Sequence, residues 1–435
     1  MQVNQCVRCN FLNRPGAKFC ANCRQPLAPV VQAGCIRCGQ PLRANAQFCA
    51  QCGGRQIVTP PPRPVQPPSL VPPPVLRPPV PPPPPLVIEL PPADYRQALI
   101  GIGYNAQGRF GLKSKKNGKK LTFSDTGGTN NTRVWIDGDT PTYGNGGRWL
   151  KAPQLKDGRL TSVWKHTDIE VAQTVSYVYG LQPGRVDTIQ IKYELTNVGR
   201  STREVGLRIM IDTLIGSNDG VPFVVPGRKG IVTEALEFTG AQVPESFQAL
   251  ENPDLAEPGI IVRMRLQGGE TTRPDRLVIT HWPGSEADWD FPLEDLGHDS
   301  AVGLYYEPRS MARGESRTIV TCYGLGEISS AASGNASLSL SFERAVELKD
   351  KFWITALVIA PRAGQTACLA LPAGLDFSDG YEAEQDVTPE GEYTQVSWRV
   401  AAQALFNDGL VKVTLDPDDI TESQSISVRP RGSIR

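Results

Sequence analysis

Eight of the ten cysteines fall within the first 52 residues, in two copies of one pattern. Cys6, Cys9, Cys20 and Cys23 make the first copy, and Cys35, Cys38, Cys49 and Cys52 the second. Each reads C-x2-C-x10-C-x2-C, and every cysteine of the second lies 29 positions after its counterpart. Two intervening residues let a pair of thiolates reach one ion from a single tight turn, and two such turns complete a tetrahedral four-thiolate site. The spacing therefore predicts two structural zinc ions. With all four positions filled by protein, neither water nor substrate enters the coordination sphere, so the metal holds the fold and does no chemistry. Disulfides are the competing use of these thiols. The chain opens without a basic start and apolar core, and no run of about 20 apolar residues could span a bilayer. A cytoplasmic, reducing compartment is expected, where paired CxxC turns bind metal.

The repeat extends past the ligands: Arg8 matches Arg37, Arg14 matches Arg43, Ala17 matches Ala46, Phe19 matches Phe48, and Ala21 matches Ala50. The stretches CVRCNFLNRPGAKFCANCRQPL and CIRCGQPLRANAQFCAQCGGRQ resemble the double zinc-ribbon modules of the DZANK type, over roughly the first 58 residues. The resemblance implies two small β-hairpin ribbons, one zinc in each, serving as an interaction or assembly module. The position after a CxxC pair favours glycine, because the backbone turns there with positive φ. Gly39 and Gly53 fit, Asn10 is tolerated, and Arg24 departs from the pattern.

Formal net charge is zero over 435 residues, but unevenly spread. Residues 1–58 carry seven Arg and Lys and no Asp or Glu, while the chain from residue 93 carries 36 basic and 44 acidic residues. Seven cations, less two for each loaded four-thiolate site, leave the head at +3. Such a head neutralises few phosphates, so nucleic acid is a weak and salt-sensitive partner at most. Its aromatics are Phe11, Phe19 and Phe48; the last two precede ligand cysteines, where buried rings are expected rather than base-stacking platforms. A protein partner is the favoured expectation.

Residues 59–92 are more than half proline. Proline fixes φ and lacks an N–H, so a stiff polyproline spacer is expected, roughly 100 Å when extended. Within it, Leu86–Leu90 (LVIEL) is apolar enough for an edge strand.

From residue 93 the signals are alternation, β-branched residues and Gly, Asn and Asp turns. Ile189, Ile191, Tyr193 and Leu195 fall at every second position, a polar NVGRSTRE follows, and Val205, Leu207, Ile209 and Ile211 alternate again. This reads as an antiparallel pair with one face buried. The fold class is multidomain and mainly β: zinc ribbons at 1–28 and 29–58, the linker at 59–92, a large antiparallel β-sandwich at 93–330, and an immunoglobulin-like sandwich at 338–435. The small-residue run Ser329–Ser337 is expected to separate the two lobes. By strand rhythm the large lobe resembles the supersandwich folds of sugar-processing enzymes and their binding relatives, which implies carbohydrate as an alternative ligand there.

Candidate chemistry in the body is sparse. Asp212, Asn218 and Asp219 crowd one Gly-containing loop and offer oxygen ligands to a hard cation, although Asp and Asn also close turns on their own backbone. Asp137 and Asp139, with Gly144, Gly146 and Gly147, read as turns without the phosphate-cradling pattern. The histidines are His166, His281 and His298, the first two near tryptophans; acid–base work on a sugar would draw on them, but ordinary strand and loop roles are expected. Cys322 and Cys368 sit in apolar strand patterns and read as small buried hydrophobes. With no catalytic constellation, the reading is a non-enzymatic protein whose ribbons dock a partner.

Overall fold

The computed structural model describes residues 4–6, 11–14, 17–25, 27, 34–35, 37–40, 48–55 and 93–431, apart from 181–183, 229, 256, 286–287, 291–292, 334–335, 390 and 392. The proline-rich segment and Leu86–Leu90 lie outside them. Two compact units are present, Met1–Pro82 and Pro83–Arg435. In the first, the short strands Asn4–Gln5 and Leu12–Asn13 pair antiparallel, and Phe48 bridges to Arg55.

The second unit is mainly β, built on two sandwiches. The larger packs an eight-stranded sheet on a five-stranded one. Ser316–Leu325, Thr188–Asn197, Ile169–Val178 and Arg159–His166 run through the middle of the eight-stranded sheet. The five-stranded sheet is centred on Ser300–Met311, flanked by Arg276–His281 and Arg203–Thr213. Ile189, Ile191, Tyr193 and Leu195 are buried, as are Val205, Leu207, Ile209 and Ile211, in one shared core.

The two alternating strands do not pair with each other. Thr188–Asn197 pairs with Ile169–Val178 and Ser316–Leu325, whereas Arg203–Thr213 pairs with Ser300–Met311 and Asn131–Ile136 in the facing sheet. The polar connection is thus an arch between sheets. Asn197 holds it, donating its amide to the Ser201 and Met311 carbonyls and accepting from the Gly199 N–H. Alternation demands only that one face be buried, and an arch meets that demand as well as a hairpin.

The smaller sandwich stacks two five-stranded sheets around Trp398, Ile354, Val413 and Leu415. Ser329–Ser333, expected as part of a separator, instead pairs with Ala336–Ser341 and opens this sandwich. Small residues do not prevent a strand from pairing along its backbone. Cys322 is buried as expected, but Cys368 is exposed. It alternates between buried Ala367 and Leu369 and so points outward. Among the described residues no helix is long and apolar enough to cross a membrane.

Candidate functional site

The two metal centres are each built from two copies of one turn. In each, the N–H of the leading cysteine donates to the carbonyl five residues on: Cys6 to Phe11, Cys20 to Gln25, Cys35 to Gln40, and Cys49 to Gly54. In three, the residue four positions on donates back to the cysteine carbonyl: Arg24 to Cys20, Gly39 to Cys35, and Gly53 to Cys49. The Sγ atoms of Cys35, Cys38, Cys49 and Cys52 lie within 4.8 Å of one another, as do those of Cys6, Cys20 and Cys23. Cys9 lies outside the described residues.

Sulfur spacings test the fit to a metal. Cys6 and Cys23 are 3.5 Å apart at sulfur, and Cys35–Cys52 and Cys38–Cys49 are each 3.7 Å apart. A disulfide requires about 2.0 Å. Four sulfurs about 2.3 Å from a central zinc stand about 3.8 Å apart, which these spacings match. The thiols also respond to crowding. The Arg37 N–H, 3.4 Å from Cys35 Sγ, holds that thiol down to about 6. Against the Gln40 N–H, which favours the thiolate, the Cys52 thiol and burial push Cys38 up to about 12. Four adjacent thiolates need a cation to coexist.

The double zinc ribbon family matches residues 6–53. Residues 6–53 are a double zinc ribbon. Arg24, the departure from its glycine pattern, sits at φ 59, beside 72 for Gly39 and 66 for Gly53, so the first ribbon adopts the same turn with a strained residue. Arg24→Gly is expected to tighten zinc binding at the first ribbon by about fivefold, relieving on the order of 1 kcal/mol of strain. Competition against a chromophoric chelator measures this, and unchanged or weaker binding contradicts it. The expectation that Phe19 and Phe48 are buried is overturned: they are 61% and 58% exposed. A ribbon organised around sulfur is too thin to cover a ring, and these turns aim the residue before the cysteine outward.

In the body the structure re-sorts the predicted residues. Asp212 and Asp219 do come together, but their third partner is Asp299, with carboxylate oxygens within 4.8 Å of one another. Asn218 turns away and donates to the Glu251 carbonyl at 2.8 Å. Asp299 arrives because Thr213 pairs with Ser300. Burial, reinforced by Asp299 and Asp219 and opposed by Thr129, pushes Asp212 up to about 7. Burial and Asp299 push Asp219 up to about 6, against Lys120.

Asp137 closes its turn, accepting from the Glu204 N–H at 2.7 Å and from Arg203 at 2.8 Å, and these two bonds hold its carboxyl below the usual range. A side chain on Gly144, at φ 83, would stand 2.3 Å from the Gln107 carbonyl oxygen, so this glycine serves close packing. His166 stacks on Trp164 with centroids 5.3 Å apart. His281 bonds through Nδ1 to the Asp299 carbonyl at 2.9 Å. Register places them at opposite ends of the large sandwich. His166 pairs with Ile169, which pairs with Asn197, whose amide bonds the Met311 carbonyl, whereas His281 pairs with Ser300, at the other end of the strand Ser300–Met311. No acid–base pair forms from them.

One feature had no sequence signal, a cleft of about 330 Å³ between the two sandwiches of the body. Glu245 and Arg263 come from the larger sandwich, and Glu343, Trp353 and Arg399 from the smaller. Arg263 donates to Glu343 at 3.0 Å, and Arg399 forms a two-pronged ion pair with Glu245. The Arg399 guanidinium also lies over the Trp353 ring, 5.3 Å from its centroid.

No curated protein matches the chain. Among solved structures, a polysaccharide lyase is similar over 76% of this chain and 46% of its own, at 12% identity and a TM-score of 0.32. A galactose mutarotase related enzyme from Lactobacillus acidophilus is similar over 53% of this chain and 95% of its own, at 8% identity and 0.34. A galactose mutarotase-like protein from Lactobacillus casei gives 52%, 99%, 8% and 0.32 in the same order. This chain thus spans under half the length of the lyase, and at these scores the likeness carries no functional argument.

Proposed function

We propose that this is a cytoplasmic, non-enzymatic scaffold protein whose double zinc ribbon docks a protein partner. The carrying observation is the exposure of Phe19 and Phe48, which occupy equivalent positions of the repeat. Phe11 and Leu12 of the first ribbon are exposed as well. Rings presented on a scaffold closed around metal have no catalytic use and suit a partner's apolar pocket. Seven Arg and Lys without a carboxylate in residues 1–58 favour a partner surface that is acidic as well as apolar. Unlinked sulfurs fit a reducing compartment. The test is affinity capture from the source cells with the full chain, comparing wild type with Phe19→Ser/Phe48→Ser at two zinc ions per chain. The reading expects discrete proteins lost in the variant. An unchanged set sinks it, and a shifted labelled oligonucleotide at about 50 mM salt replaces it with nucleic-acid binding.

A second reading is supported by the inter-sandwich cleft. Its volume lies in the small-ligand range, and it combines Trp353 with arginines and carboxylates, the mix that suits a polar, sugar-like molecule. A glycan array probed with the full chain, beside Trp353→Ala, tests it: binding abolished by the substitution supports carbohydrate, and a blank array removes it.

A further inference from the structure

We infer that Asp212, Asp219 and Asp299 form a binding site for a hard divalent cation of calcium's size. Three observations carry it. First, the oxygens converge within 4.8 Å of one another, no more than about twice the calcium–oxygen distance, so one such ion can touch all three, whereas magnesium demands a near-ideal octahedron and dehydrates reluctantly. Second, Asp212 is 1% exposed, and its Oδ1 has no hydrogen-bond partner. A buried carboxylate beside two others, with one oxygen unpaired, is a costly arrangement unless a cation completes it. Oδ1 of Asp219 and of Asp299 likewise lack partners.

Third, the main chain around the cluster is held by hydrogen bonds, while an oxygen of each carboxylate is left unpaired. The Asp212 N–H donates to Asn130 at 2.8 Å, and the Asp212 carbonyl accepts from Phe123 at 3.1 Å. The Asp219 carbonyl accepts from the Ser300 N–H at 2.9 Å and its hydroxyl at 2.8 Å. Close apposition of the two loops needs Gly220, whose Cβ would stand 2.7 Å from the Gly297 carbonyl oxygen. The basic side chains that act on the cluster are Lys120, from the side of Asp219, and His281, from the side of Asp299. Neither acts on Asp212, whose influences are burial, Thr129, Asp299 and Asp219. Oxygen-only ligands select calcium over softer metals, and calcium does not compete for the ribbon thiolates.

The test uses the full, zinc-loaded chain in resin-stripped buffer, with calcium chloride alone as the probe and magnesium chloride beside it. Calcium at about 5 mM is expected to raise the body's melting temperature by on the order of 5 °C, with a smaller effect of magnesium. Asp212→Asn is expected to melt higher than wild type without metal, because it removes a buried unpaired charge, and to lose the calcium shift. Asp219→Asn, at a half-buried position, is expected to lose the shift while folding as wild type. A wild-type midpoint indifferent to calcium, or an equal shift in both variants, overturns the site.

Discussion

Cys35→Ser is expected to strip one zinc ion from the chain and unfold the second ribbon, while the body melts as in wild type. Among the described residues of the head, the buried apolar side chains are Cys6, Cys20, Cys35 and Cys49. The interior of the module is therefore sulfur, and its strands are as short as Asn4–Gln5 and Leu12–Asn13. Without metal nothing offsets the entropy of ordering the chain. Structural zinc supplies about 10–16 kcal/mol to such units, so losing one of four thiolates removes most of what holds the ribbon. The body carries its own cores and forms a separate compact unit. Elemental analysis should fall from two zinc ions per chain to one, and a circular-dichroism melt should show the body's transition unmoved. Two retained ions, or a body midpoint displaced by more than a few degrees, refutes the modular reading.

What could be read from the sequence divides along local and non-local lines. The ribbons were legible because a CxxC turn is a four-residue device, and the expected positive φ appears even at Arg24. Strand positions were legible because burial follows period two, as in Ile189 to Leu195. Pairing was not, since Val205 to Ile211 alternates identically whether it returns beside its predecessor or crosses to the facing sheet. Parity within its strand, not the apolar pattern around it, decides Cys368, whose neighbours Ala367 and Leu369 fill the inner face. Asp299 lies 87 residues beyond Asp212 and reaches it only through the pairing of two long strands. Ring exposure at Phe19 and Phe48 depends on how little a metal-centred module can cover, a property of size rather than residue type.

Glu343→Gln is expected to destabilise the body by about 3 kcal/mol, lowering its midpoint by on the order of 5–10 °C. The reason lies with its partner. Arg263 is buried on the larger sandwich, and it donates to Ser246 at 2.8 Å and to Glu343 at 3.0 Å on the smaller one. Its Nε and remaining terminal nitrogen have no hydrogen-bond partner. Burial lowers the guanidinium's pKa, with Glu343 opposing, yet arginine cannot shed its proton to escape. Removing the carboxylate charge therefore strands a buried cation, a larger loss than the ion pair was worth as a pair. Arg399 and Glu245 form the reciprocal pair with the charges exchanged between sandwiches, and both of its side chains are largely buried. By contrast Lys351–Asp379 is about half exposed at each end, and its loss should be barely measurable. The double variant Arg263→Met/Glu343→Leu separates the two costs, because it removes the stranded charge together with its partner and should recover most of the lost stability. A Glu343→Gln protein that melts like wild type means that Glu245, which also acts on Arg263, already neutralises the guanidinium and that the cleft is held chiefly by apolar packing.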